Sequence, residues 1–158
     1  MQHDKALREQ LVSLLTQENA HAGFEVAVRD MPAKHYGTKP KGVDHSAWEL
    51  LEHLRIAQWD IVEFSRNPKH VSPKWPQGYW PESATPPTPE AWDHSVKEFE
   101  RDLKEMVALV QDESVDLLAK IPHGEGQTVL REALLIADHN AYHIGQLVQL
   151  RKMLGAWH

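Results

Sequence analysis

The stretch DHNAYHIGQLVQLRKMLGAW, residues 138–157, decides how this chain is read. With the residues just before it, it sets Leu135, His139, His143, Gln146, Leu150 and Leu154 at spacings of 4, 4, 3, 4 and 4. That recurrence marks one face of an α-helix. The stripe is apolar at both ends and polar in the middle. His139 and His143 stand one turn apart along the axis and ~40° apart around it, so their rings can converge on one point. Burying an unpaired imidazole costs ~1–3 kcal/mol, so both rings need partners. Two kinds of partner are open: hydrogen-bonding groups of the core, or a metal ion clamped by His at i and i+4. The segment reads H-N-A-Y-H and lacks the glutamate of the H-E-x-x-H zinc proteases, so that protease mechanism is excluded.

Working outward, Thr128 supplies an N-cap for this last helix, and Gly155 sits where a C′ glycine belongs. Leu7, Leu11, Leu14 and Leu15 predict a first helix over residues 6–15. A weaker helical stretch runs from about Ala20 to Met31, with Phe24, Val28 and Met31 in phase, and stops at Pro32. AKHYGTKPKGVD reads as a loop. Ser46 followed by Glu49 is a capping box. It opens a long helix to about Ser65 with Ala47, Leu50, Leu54, Ala57, Ile61 and Phe64 on its buried face. Residues 67–89, NPKHVSPKWPQGYWPESATPPTP, hold seven prolines, which exclude regular structure. Val71, Trp75, Tyr79 and Trp80 argue for an ordered loop packed over the helices, because disordered segments are poor in aromatics. Thr88 and Pro89 predict the N-cap and first residue of another long helix, with Trp92, Val96, Phe99, Leu103, Met106 and Val110 inward. A turn near Val115–Ala119 and the loop IPHGEGQ complete the chain. Four long amphipathic segments predict an all-α, four-helix bundle with long ordered loops, formed as one domain over residues 1–158.

Composition narrows the function classes. The chain has no cysteine, which removes disulfides, thiolate metal sites and a cysteine nucleophile. A net charge of −6 without a basic cluster argues against nucleic acid as a partner. No apolar run is long enough to span a membrane. The N-terminal MQHDKALREQL lacks the apolar region of a secretory leader, and the expected location is the cytoplasm. The abundant residues are the 11 histidines and 6 tryptophans. His53 lies beside Leu50 and Ala57, at the edge of the buried stripe of its helix. Alone it reads as a core or boundary residue. Yet bundles build metal sites from facing helices, and three His from two helices would leave coordination positions open, as catalytic sites do.

SAWELLEHLRIAQWDIVEF together with REALLIADHNAYHIGQLVQLRKMLG resembles the DinB-like superfamily of metalloenzymes, and the resemblance extends over nearly the whole chain. It implies a four-helix bundle in which His53, His139 and His143 hold a divalent metal, nickel or zinc. It also implies a homodimer. For the reaction it implies a metal-dependent transferase using a low-molecular-weight thiol, with a hydrolase as the variant in which water replaces the thiol. Such an ion acts as a Lewis acid and lowers the pKa of what it binds. The rival class is a non-catalytic metal-binding or stress-related bundle protein.

Other residues have two readings each. Asp60, seven after His53, is either a proton-transfer or ligand-orienting group or a surface carboxylate. Gln146 is either a contact to bound substrate or a helix-interface hydrogen bond. Tyr142, next to His143, reads either as packing or as a hydroxyl near the site, Trp48 and Trp59 as core or interface, and Arg131 as the partner of Glu132 or a loop carboxylate. Glu52 and Asp138 are expected to face solvent. Most of His3, His21, His35, His45, His70, His94, His123 and His158 are expected to be exposed, with His21 and His123 the ones to inspect for pocket contacts. Trp75, Tyr79 and Trp80 either roof the pocket or seal a bundle end.

Overall fold

The computed structural model describes residues 2–16 and 20–157, and His158 lies outside them. The helices are α1 (Gln2–Thr16), α2 (Phe24–Val28), α3 (Ala47–Arg66), α4 (Ala91–Gln111) and α5 (Val129–Met153), with short 3-10 turns at Ala33–His35 and Gln77–Tyr79. Among the described residues there is no strand, only an isolated bridge between Lys120 and Thr128. The four long helices form the expected bundle. α3 packs on α4 and α5, α1 packs on α4 and α5, and α2 adds to α5. Among the described residues no helix is long and apolar enough to cross a membrane.

The helix ends follow local chemistry. Ser46 and Glu49 make the full capping box, each side chain closing on the other's backbone amide. Thr128 accepts from the Arg131 amide, and Gly155 takes a φ of 66° just past the end of α5. That left-handed conformation favours glycine. Two expectations shift. The second helix is a single turn from Phe24, because the chain bends at Ala20 and His21 and turns again at Asp30 with a φ of 52°. α4 begins at Ala91, because Thr88 and Pro89 are spent in a turn whose Thr88 carbonyl accepts from the Ala91 amide.

The core forms two apolar clusters stacked along the bundle. One holds Leu50, Leu54, Phe99, Ile144 and Leu147; the other holds Val62, Met106, Ala133 and Ile136. Between them, at the same height on three helices, sit the buried polar residues Gln58, Asp102 and Asn140. Asn140 donates to Gln58 Oε1 at 2.9 Å, and Gln58 donates to the Phe99 carbonyl at 2.7 Å. Burial pushes the Asp102 carboxyl above its usual range. Two buried arginines replace apolar packing at the bundle ends. Arg8 donates to the carbonyls of Val110, Asp112 and Val115, where α4 has run out of intrahelical donors. Arg151 donates to the carbonyls of Val26, Ala27, Arg29 and Ala156 and ties α2 to α5.

The buried arc of α5 is broader than the stripe read from sequence and turned by one residue. Its centre runs through Ala133, Ile136, Asn140, His143, Leu147 and Leu150. α5 touches every other helix, so its buried arc must widen. Leu135, His139, Gln146 and Leu154 lie on the flank, half-buried. Of the two histidines, His143 therefore lies within the buried arc and His139 on its flank.

Candidate metal centre

α3 and α5 bring His53, His139 and His143 together. One nitrogen from each ring lies within 4.8 Å of the other two. The closest pair is His53 Nε2 and His139 Nε2 at 3.1 Å. The ring centroids stand 4.9 Å (His53–His139), 4.5 Å (His53–His143) and 4.5 Å (His139–His143) apart. His53 is not at the boundary but buried, at 3 % exposure, and His143 is at 9 %.

The outer nitrogens of two rings are committed. His53 Nδ1 lies 2.9 Å from the Tyr79 carbonyl, which can only accept, so Nδ1 carries the proton. His143 Nδ1 lies 2.7 Å from Gln146 Oε1, and it too donates. Both rings therefore keep a lone pair on Nε2, and that of His53 faces His139 Nε2 at 3.1 Å. This is how metal-ligating imidazoles are normally oriented: the second N–H is held by a carbonyl or carboxylate, which fixes the tautomer. Burial lowers the pKa of His53 and of His139 to about 4, and lowers that of His143. All three rings are neutral near pH 7, the state a metal requires. Zinc with nitrogen ligands at ~2.0–2.1 Å in tetrahedral array would space them ~3.4 Å apart, and the 3.1 Å contact fits that with little movement.

Trp80 covers one side. Its ring stacks on His53 at 3.9 Å and 1°, and its other face stacks on His45 at 4.0 Å and 17°. The proline-rich loop is thus ordered over the site through Tyr79 and Trp80, whereas Val71 and Trp75 point away and stay exposed. His45 was expected at the surface and is half-buried by this stack. His70 was expected there too, but its side chain is 7 % exposed and bonds Asp60 Oδ1 at 2.7 Å. Nothing near either residue in sequence marks them, since both are placed by the returning loop. His21 and His123 are exposed; His123 bonds the Phe64 carbonyl, away from the triad.

Asp60 is buried and bonded to His70 and, at 2.6 Å, to the Tyr79 hydroxyl. It does not bond a ring of the triad. Glu52 departs from expectation: it is buried, bonded by Arg55 and Ser95, because α4 crosses α3 at that point. Asp138 is exposed, and Arg131 pairs with Glu132 at 2.7 Å. Beside the triad lies a cleft of about 440 Å3 between the loop at Gly42–His45 and the outer half of α5. Leu50, Tyr142, Gly145, Gln146, Leu150 and Met153 are among its walls. Gln146 joins the two features, with Oε1 on His143 and its side chain in the cleft wall.

A cluster of three histidines able to hold a metal ion, set on two helices of an all-α bundle, defines the class of fold. The chain belongs to the DinB superfamily, whose sequence profile matches residues 16–147 and includes all three histidines and Gln146. Comparison with curated proteins and with solved structures gave no match.

Proposed function

We propose that the protein binds one divalent ion, nickel or zinc, through Nε2 of His53, His139 and His143, and uses it in a transferase reaction with a low-molecular-weight thiol or in a hydrolysis. The observation carrying this reading is the pair of fixed Nδ1–H donors, His53 to Tyr79 and His143 to Gln146, which leave neutral acceptor nitrogens converging on one point. A bound ion would supply Lewis acidity and a site for a nucleophile at neutral pH. The chain's own residues do the rest. Trp80 excludes water from one face of His53. Gln146, its oxygen occupied by His143, keeps its amide N–H groups for a substrate acceptor in the cleft. Met153, an exposed apolar side chain in the cleft wall, offers surface to the rest of a small molecule.

Gly145 supports the cleft as the substrate side. A glycine inside a helix costs about 0.8–1.0 kcal/mol relative to alanine. Here no neighbour lies within 4 Å of where its Cβ would stand, so close packing does not require it. Keeping the cleft wall low is the remaining use. We also propose a homodimer, with the exposed Leu134 and Tyr142 on the outer side of α5 as candidate contacts.

The test is elemental analysis of tag-free protein, followed by calorimetric titration of the stripped protein with zinc and nickel. One ion per chain is expected, with retained helical circular dichroism in the stripped form. Metal-loaded protein is then assayed with several small thiols plus electrophilic acceptors, and separately with simple esters and amides. Failure to bind either metal would end the reading. Binding without metal-dependent turnover in both assays would favour the non-catalytic metal-binding or stress-related alternative, which draws on the fact that among the described residues no carboxylate bonds the triad.

A further inference from the structure

We propose that Tyr79 is a positioning residue for the triad: its hydroxyl, anchored by Asp60, holds the backbone carbonyl that sets the Nδ1–H tautomer of His53. The proposal rests on the metal-site reading only in what the tautomer is for.

Tyr79 is attached to α3 at both of its ends. Its carbonyl lies 2.9 Å from His53 Nδ1, and its hydroxyl donates to Asp60 Oδ2 at 2.6 Å. His53 and Asp60 are seven residues apart on α3, two turns along one face. One tyrosine therefore spans two turns of the helix. The other Asp60 oxygen is taken by His70 at 2.7 Å, from the same loop. Asp60 is thus the post to which the proline-rich loop is moored, and Tyr79 the residue that carries the mooring to His53. The next residue, Trp80, lies flat on the His53 ring at 3.9 Å. Carbonyl and indole together leave that ring one orientation and one tautomer. Burial and the Asp60 bond push the Tyr79 hydroxyl up to about 12, so it remains a donor throughout the neutral range.

The alternative role for Asp60, direct proton transfer at the centre, has no path in this geometry, because both its oxygens are occupied and neither bonds a triad ring. Its influence reaches His53 through Tyr79.

The full-length chain is tested with Tyr79→Phe, Asp60→Asn and Asp60→Ala. The first readout is nitrogen-15 NMR of the histidine rings in metal-free protein at pH 7, which reports which ring nitrogen carries the proton. The second is zinc affinity by competition titration. Wild type is expected to show His53 as Nδ1–H. Tyr79→Phe should give a mixture with Nε2–H and bind zinc about 10-fold more weakly, the lower end of outer-shell effects on metal affinity. Asp60→Ala should do the same. Asp60→Asn keeps an oxygen acceptor for the hydroxyl and should restore both readouts. His143, held by Gln146, should keep its tautomer throughout and serves as the internal control. Tyr79→Phe removes one hydroxyl from a loop residue, so the bundle should stay folded by circular dichroism. His53 remaining Nδ1–H with unchanged zinc affinity in Tyr79→Phe overturns the proposal, as does Nε2–H in wild type. Wild type that shows the expected tautomers but binds no zinc overturns the metal reading instead, and the NMR comparison still decides this one.

Discussion

Nε2 of His53 and Nε2 of His139 face each other at 3.1 Å across the α3–α5 interface. His53 spends its proton on the Tyr79 carbonyl, so its Nε2 is an acceptor. In the metal-free protein His139 must then be the donor, with its proton on Nε2. An ion at the same point needs a lone pair there instead. His139 is therefore the ring that changes tautomer on loading. Nitrogen-15 NMR of a zinc titration should show the His139 proton moving from Nε2 to Nδ1, with His53 and His143 keeping theirs. Three rings that all keep their tautomers would contradict the shared site.

His143→Ala should abolish tight metal binding. Two imidazoles rarely hold a divalent ion, so the loss should exceed the ~10–100-fold of outer-shell changes. Gln146→Ala should fall within that range, because it frees the His143 tautomer without removing a ligand. Competition titration with a chromophoric chelator separates the two. Equal losses would mean that Gln146 is itself a ligand.

The apo protein should lose stability in mild acid. The folded pKa values of His53 and His139 lie near 4 against an ordinary 6.5, because burial penalises the charged ring. Between those values the unfolded chain binds more protons than the native one. Stability therefore rises with pH from about 4 to about 6.5, by up to ~1.4 kcal/mol per pH unit for each ring, and these rings add no slope above that. Urea denaturation in chelator at several pH values checks this. In His53→Ala the slope should be shallower by one ring's share.

Arg151→Met should cost about 2–5 kcal/mol. The side chain is 5 % exposed and serves four backbone carbonyls around α2 and the C-terminal turn. Methionine fills much of the volume but leaves those acceptors without their charged donor. A lowered urea midpoint with an unchanged slope is the expected signature.

Gly145→Ala should stabilise the fold by up to about 1 kcal/mol, since alanine is the better helix former and its Cβ meets open space. Gly145→Leu should fold equally well and bind zinc normally, yet raise KM for any substrate found in the assays, because the new side chain extends into the cleft. An unchanged KM would move the substrate elsewhere.

Much of the centre was legible in the chain itself. His139 and His143 are joined by one helical turn, and a spacing of four places them side by side in any α-helix. His53 required a second helix and a resemblance, since nothing local ties residue 53 to residue 139. Spacing from the histidines singles out Asp60 and Gln146 but not their partners: Asp60 faces His70 and Tyr79, and Gln146 holds His143.

The division follows the range of the forces. Helices α1, α3, α4 and α5, the Ser46–Glu49 box, the Thr128 cap and the Gly155 terminus arise from hydrogen bonds and side-chain contacts within about four residues, and such signals are written in adjacent letters. How far α5 turns its buried arc, why Glu52 and Arg151 are inside, and where His45 and His70 lie depend on which segments return to cover them. The Tyr79 carbonyl is the limiting case. Every residue carries that group, so no residue type announces it, and only the folded path of the 67–89 loop sets it 2.9 Å from His53.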